Sequence, residues 1–115
     1  MRSLGAVAYD EGLAERVRTV LGPEPGVTER RMFGGLCFLL DGNMCAGVVG
    51  DDLMARTGHD GFADALARPH AREMDFTGRP SRSMVFVDAE GVAEDDDLAR
   101  WVALGVEVAR ALPPK

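Results

Sequence analysis

Residues that commonly carry chemistry are scarce in this chain: two cysteines, two histidines, three serines, one tryptophan, one tyrosine and one lysine among 115 residues. Seven residues separate Cys37 from Cys45 and ten separate His59 from His70, and neither spacing is that of a zinc site. Two cysteines are too few for a disulfide framework, so both read as small buried hydrophobes in a reducing compartment. Ser3, Ser81 and Ser83 provide no Gly-x-Ser-x-Gly nucleophile elbow, and there is neither a P-loop nor a Gly-x-Gly-x-x-Gly turn. No apolar run approaches the ~20 residues that span a bilayer. The start, Met1-Arg2-Ser3-Leu4-Gly5, is too short and too polar for the apolar part of a signal peptide. These absences set the expectation of a cytoplasmic protein with no membrane contact, no metal and no cofactor.

Positive charge is also in deficit, with 13 Lys+Arg against 19 Asp+Glu and a formal net charge of −6. Six of the acids, Asp88, Glu90, Glu94, Asp95, Asp96 and Asp97, form a run with no base inside it, and setting them aside leaves thirteen charges of each sign. An acidic chain is poorly suited to coating nucleic acid, whose phosphates are bound mainly by Lys and Arg. The length fits one domain over residues 1–115 with a core that needs no metal or disulfide.

Hydrophobic periodicity predicts a helix from Tyr9 to Leu21, with Asp10 as its cap and Gly22-Pro23 as its stop. Strand-like runs follow at Val27–Phe33, Leu36–Leu40, Met44–Val49 and Leu53–Thr57, with a hairpin turn at Asp41-Gly42-Asn43. A short helix begins near Gly58-His59-Asp60, presents Phe62 and Leu66, and ends at Arg68-Pro69. Arg72–Phe76 and Met84–Asp88 read as two more strands. The last helix, Asp95–Leu112, carries the stripe Leu98, Trp101, Val102, Gly105, Ala109 and Leu112. The expected fold is α+β, a single antiparallel sheet of five to six strands with three helices, in the order α-β(3 or 4)-α-β(2)-α. A two-residue hairpin turn places Cys37 and Cys45 on opposite sheet faces, and a three-residue turn makes them diagonal neighbours. Neither suits a disulfide.

The two middle strands are apolar on both faces, which three helices do not easily cover. One face, with Cys45 and Val48 on it, is therefore expected to be buried against a second copy, a partner or a ligand. Met32, Met44, Met54, Met74 and Met84 lie in or beside strands, a core pattern before it is a soft-metal pattern.

Several stretches resemble the N-terminal domain of the TfoX/Sxy family: Ala8 to Val17, Arg31-Met32-Phe33-Gly34-Gly35-Leu36, Gly42-Asn43-Met44, Met74-Asp75-Phe76-Thr77-Gly78-Arg79-Pro80, and the Trp101 helix ending in Leu112-Pro113-Pro114-Lys115. The resemblance runs from about Ala8 to Lys115 and stops before the family's second domain. It implies a fold similar to that of secretion chaperones. It also implies kinship with regulators of natural competence that act with a cyclic-AMP-responsive transcription activator.

The expected function is a non-enzymatic binding or regulatory module. It would work as a homodimer that docks a protein partner, with a transcription regulator as one candidate. Arg31, Phe33, Gly34, Gly35, Asn43 and Arg79, at positions of the family's motifs, make up the expected interaction surface. Gly34-Gly35 also reads simply as a tight connection between strands, and Arg31 and Arg79 as braces of the sheet edge through acids of the same chain. Two other readings stay open: a ligand-binding domain or small enzyme with a pocket near Arg31, Phe33 and Arg79, and a nucleic-acid module. The latter would gather Arg30, Arg31, Arg56, Arg79 and Arg82, with Phe33 stacking on a base. It is disfavoured by the acidic balance.

Overall fold

The structure is a computed structural model, described here for residues 9–32, 34–74 and 81–115. Helix α1 (Glu11–Leu21) is followed by strands β1 (Val27–Met32), β2 (Gly35–Leu40), β3 (Asn43–Val49) and β4 (Asp52–Arg56). Then come α2 (Gly58–Leu66), β5 (Ala71–Glu73), β6 (Met84–Val87), a 3₁₀ turn at Ala89–Val92 and α3 (Asp95–Arg110). The strands form one antiparallel six-stranded sheet in the order β1-β2-β3-β4-β6-β5. This is the α+β architecture and element order expected from the sequence.

The local signals act as their chemistry dictates. The Asp10 carboxylate accepts from the backbone N–H groups of Gly12 (2.8 Å) and Leu13 (3.2 Å), satisfying two free donors at the start of α1. The β2–β3 turn has two residues, Asp41 (φ 51°) and Gly42 (φ 88°), the mirror-image turn whose twist matches that of the strands.

A bulge interrupts the β2–β3 ladder. Phe38 pairs with Ala46 and Leu39 with Met44, so Cys45 has no partner across the ladder. Cys45 and Ala46 both belong to the core on the helix side. The Cys45 thiol donates to the Phe38 carbonyl oxygen at 3.4 Å. Helix α3 crosses the sheet here: a β-carbon built on Gly105 would overlap the Cys45 carbonyl oxygen. Only glycine lets the helix backbone come so close.

The helix-side core joins Leu13, Val17 and Leu21 of α1, Leu98, Trp101 and Val102 of α3, and Leu36, Phe38, Leu40, Val48, Leu53, Val85 and Val87 of the sheet. The opposite face carries a second cluster. Cys37, Leu39, Met54, Met74 and Met84 are buried there, with Met32, Met44, Val49 and Phe86 packed around them. Gly47 makes room for it, since a side chain at that position would collide with the Met54 methyl group.

This second cluster corrects one expectation. Cys37 and Met54 are fully buried in a single copy and Met74 is 7% exposed, so the centre of this face is covered within one chain, with Met32, Met44, Val49 and Phe86 half-buried around it. Cys45 and Val48, expected on an uncovered face, lie under the helices instead: the two-residue turn puts Cys45 on the Phe38 face, and the bulge brings Ala46 and Val48 to that same face. Leu112, expected on the stripe of the last helix, lies past its end and is exposed. The cysteines point to opposite faces and both are free thiols. Among the described residues no helix is long and apolar enough to cross a membrane.

Candidate functional site

Of the six residues expected to form one interaction surface, four are described, and among these Asn43 lies apart from Arg31, Gly34 and Gly35. Phe33 and Arg79 lie outside the described residues. Arg31 is on the helix side of β1, and its guanidinium sits over the Tyr9 ring at 5.9 Å from the centroid. It braces the chain entry by cation–π contact, and among the described residues no acid pairs with it. Gly34 has φ 74°, as its reading as a tight connection requires, and has open space around it. Gly35 has no room for a side chain, because a β-carbon there would overlap the Val48 carbonyl oxygen. Asn43 lies beyond the far end of β2, about 17 Å away along the strand. It is 2% exposed, and its side-chain amide donates to the Pro113 carbonyl oxygen at 2.9 Å. With the Lys115 N–H donating to the Asp41 carbonyl oxygen at 2.8 Å, it clamps the tail against the hairpin turn. The motif residues Gly35 and Asn43 thus serve close packing and tail anchoring.

The described arginines do not form one stripe. Arg30 and Arg31 are neighbours on a strand and so face opposite sides. Arg56 donates to the Met44 carbonyl oxygen at 3.1 Å. Glu29, on the same strand, is held by Arg18 of α1 through two hydrogen bonds of 2.7 and 2.9 Å. Those bonds hold the Glu29 carboxyl below its ordinary pKa and raise that of Arg18. Burial pushes both thiols up, Cys37 and Cys45 each to about 11, which makes them poor nucleophiles near neutral pH.

What the sheet does leave available is an edge. Among the described residues no strand pairs with the outer side of β1. Thr28, Glu29, Arg30 and Arg31 are exposed along it. Glu29 and Arg31 project to the helix side, Thr28, Arg30 and Met32 to the methionine side. The other edge, β5, is only three residues long.

A further grouping escaped sequence reasoning. Arg68 and His70, from the connection between α2 and β5, meet Glu90 of the 3₁₀ turn and Trp101 of α3 around an open cleft of about 420 Å³. The only hint in the sequence was Trp101 in the second turn of the last helix, and its place in the core stripe accounted for it. Glu90, His70 and Arg68, which it meets, are 11, 31 and 33 positions distant.

Comparison with known families closes the identification. The family model described as the TfoX N-terminal domain matches residues 19–109. That stretch includes the β1–β2 segment, the hairpin with Asn43 and nearly all of α3. No curated protein and no solved structure matches the chain. The chain belongs to the TfoX N-terminal domain family.

Proposed function

We propose that this chain is a non-enzymatic regulatory module that works by docking proteins. The first of these is a second copy of itself, paired through β1, and the dimer in turn engages a transcription regulator. The observation that carries this reading is the open six-residue edge of β1. An unpaired edge of that length is a template for another strand.

Charge selects the occupant and the register. A two-fold axis normal to the sheet pairs residues of like face. With the axis at Arg30, Glu29 faces Arg31 of the second copy, twice by symmetry, and Thr28 faces Met32. This register opposes one pair of like charges, the two Arg30 side chains, and makes two pairs of opposite charge. Moving the axis to Glu29 sets two carboxylates against each other and makes no opposite pair. Opposite charges across a strand pair favour association by up to about 1 kcal/mol each, and like charges oppose it.

The test is sizing with light scattering on the wild type, on Arg31→Glu and on Glu29→Arg. The wild type is expected to be dimeric, and each variant shifted toward monomer because it sets like charges opposite each other. Mixing the two variants restores a dimer, since one chain then carries carboxylates at both positions and the other carries guanidinium groups at both. Circular dichroism establishes that each variant is folded. A wild type that stays monomeric at high micromolar concentration, or a dimer indifferent to both substitutions, overturns the reading.

A further inference from the structure

We propose that the cleft around Trp101 binds a small zwitterion of the α-amino acid class, with Arg68 taking the carboxylate and Glu90 the ammonium. This site is separate from the β1 edge and does not depend on it.

The first observation is the pairing pattern. Arg16, Arg18, Arg72, Arg100 and Arg110 each have a carboxylate within 4.0 Å. Arg68 has none among the described residues, as is also true of Arg30, Arg31, Arg56 and Arg82, but of these only Arg68 lines this cleft. Its guanidinium instead lies over the Trp101 ring, 4.7 Å from the centroid. Glu90, on the same cleft, has no cationic partner among the described residues. The remaining charges of the cleft, Arg100 and Asp97, neutralise each other. A cation and a carboxylate thus share one cleft without touching. A lone anion would be repelled by Glu90 and a lone cation by Arg68. A dipolar ligand satisfies both.

The second observation is the indole itself. Trp101 is 4% exposed, and its N–H donates to no group among the described residues. No buried polar side-chain atom among those residues is sealed away without a partner, so this N–H reaches solvent, and the ring that carries it lines the cleft. It offers a further donor to a bound carboxylate. Buried indoles usually find such a partner.

The third is backbone strain at the rim. His70 has φ 70°, a left-handed conformation that costs a residue with a side chain and that glycine adopts freely. The position is held there by the Asp88 N–H donating to the His70 carbonyl oxygen at 3.0 Å and by close contact with Gly91. An imidazole kept at a strained position beside free opposite charges fits a binding role better than a folding role. The cleft volume, about 420 Å³, admits a ligand the size of leucine.

Trp101 is the only tryptophan, so its emission and its single indole N–H resonance report on this cleft alone. Leucine is titrated into the protein, with acetate and methylammonium as half-ligands in parallel. Leucine is expected to shift both signals saturably, with a Kd below about 1 mM. Each half-ligand should bind at least about tenfold more weakly, because it makes only one charge-assisted contact. Arg68→Gln and Glu90→Gln should each weaken leucine at least about tenfold. Glu90→Gln changes an exposed side chain and leaves the fold intact, so the test survives any effect of Arg68→Gln on the Trp101 stack. No saturable response to leucine overturns the proposal, as does acetate binding as tightly as leucine, or a Glu90→Gln protein that binds leucine unchanged.

Discussion

Replacing Gly105 by alanine sets two effects of opposite sign against each other. In the middle of a helix the change normally stabilises, by about 0.5–1 kcal/mol, because alanine loses less backbone freedom on folding. Here the new β-carbon would overlap the Cys45 carbonyl oxygen, a backbone atom fixed by the bulge that cannot rotate aside. An ordinary carbon–oxygen contact is about 3.3 Å, so α3 must retreat from the sheet on the order of 1 Å. A gap of that size forfeits a quarter to a half of each dispersion contact along the interface. Trp101, Val102 and Ala109, buried on either side of Gly105, all bear the loss. The cost is about 3 kcal/mol, the upper end of ordinary overpacking. Net of the helix gain, Gly105→Ala should destabilise by about 2 kcal/mol and lower Tm by about 8 °C in a domain of this size. Gly61 of α2 is the control, because a β-carbon there meets open space. Gly61→Ala should stabilise by up to about 1 kcal/mol. Thermal and urea unfolding followed by circular dichroism read both. A Gly105→Ala protein as stable as the wild type would refute the close-approach argument.

Trp101→Ala should cost roughly 3–5 kcal/mol, read from urea midpoints, since the residue is 4% exposed at the centre of the helix-side core. Cys37 and Cys45 should titrate as two free thiols per denatured chain. In the native protein at neutral pH both should react with a thiol reagent only as fast as the chain opens, because burial raises each to about 11. Glu29 has a depressed pKa from Arg18, so its contribution to stability is full above the unfolded carboxyl pKa and is lost as pH falls through the folded one. Arg18→Gln should therefore flatten the acid limb of a stability–pH profile and leave its alkaline limb unchanged.

The elements themselves were legible because their signals are local. Asp10 caps the helix it precedes, Asp41-Gly42 makes the turn its residue types require, and the Leu98–Ala109 stripe faces the sheet. What depends on strand order was not. Met32, Met44, Met54, Met74 and Met84 are ten to twenty residues apart, and they meet on one face only because β6 lies between β4 and β5. Sequence alternation therefore indicated a second apolar face without indicating that the chain closes it. The bulge at Cys45 shifts the two-residue period by one, and that single residue carried Ala46 and Val48 over to the helix face. The motif pair Gly35 and Asn43 looked like a surface because motif residues often bind. Here the space around Gly35 and the hydrogen bond from Asn43 show them packing the sheet and holding the tail. The Trp101 cleft depends on contacts between the α2–β5 connection, the 3₁₀ turn and α3, which no periodicity reveals.

The fit between the Cys45 bulge and Gly105 also bears on the order in which the molecule assembles. A hairpin slipped by one residue carries its bulge elsewhere and presents a regular strand where α3 must settle. The last helix can then seat fully only on a hairpin already in register, which makes its docking a late event that discriminates against slipped pairings. Substitutions at Gly105 would accordingly act on the unfolding rate and leave the folding rate almost untouched, whereas substitutions in the Asp41-Gly42 turn would slow folding itself.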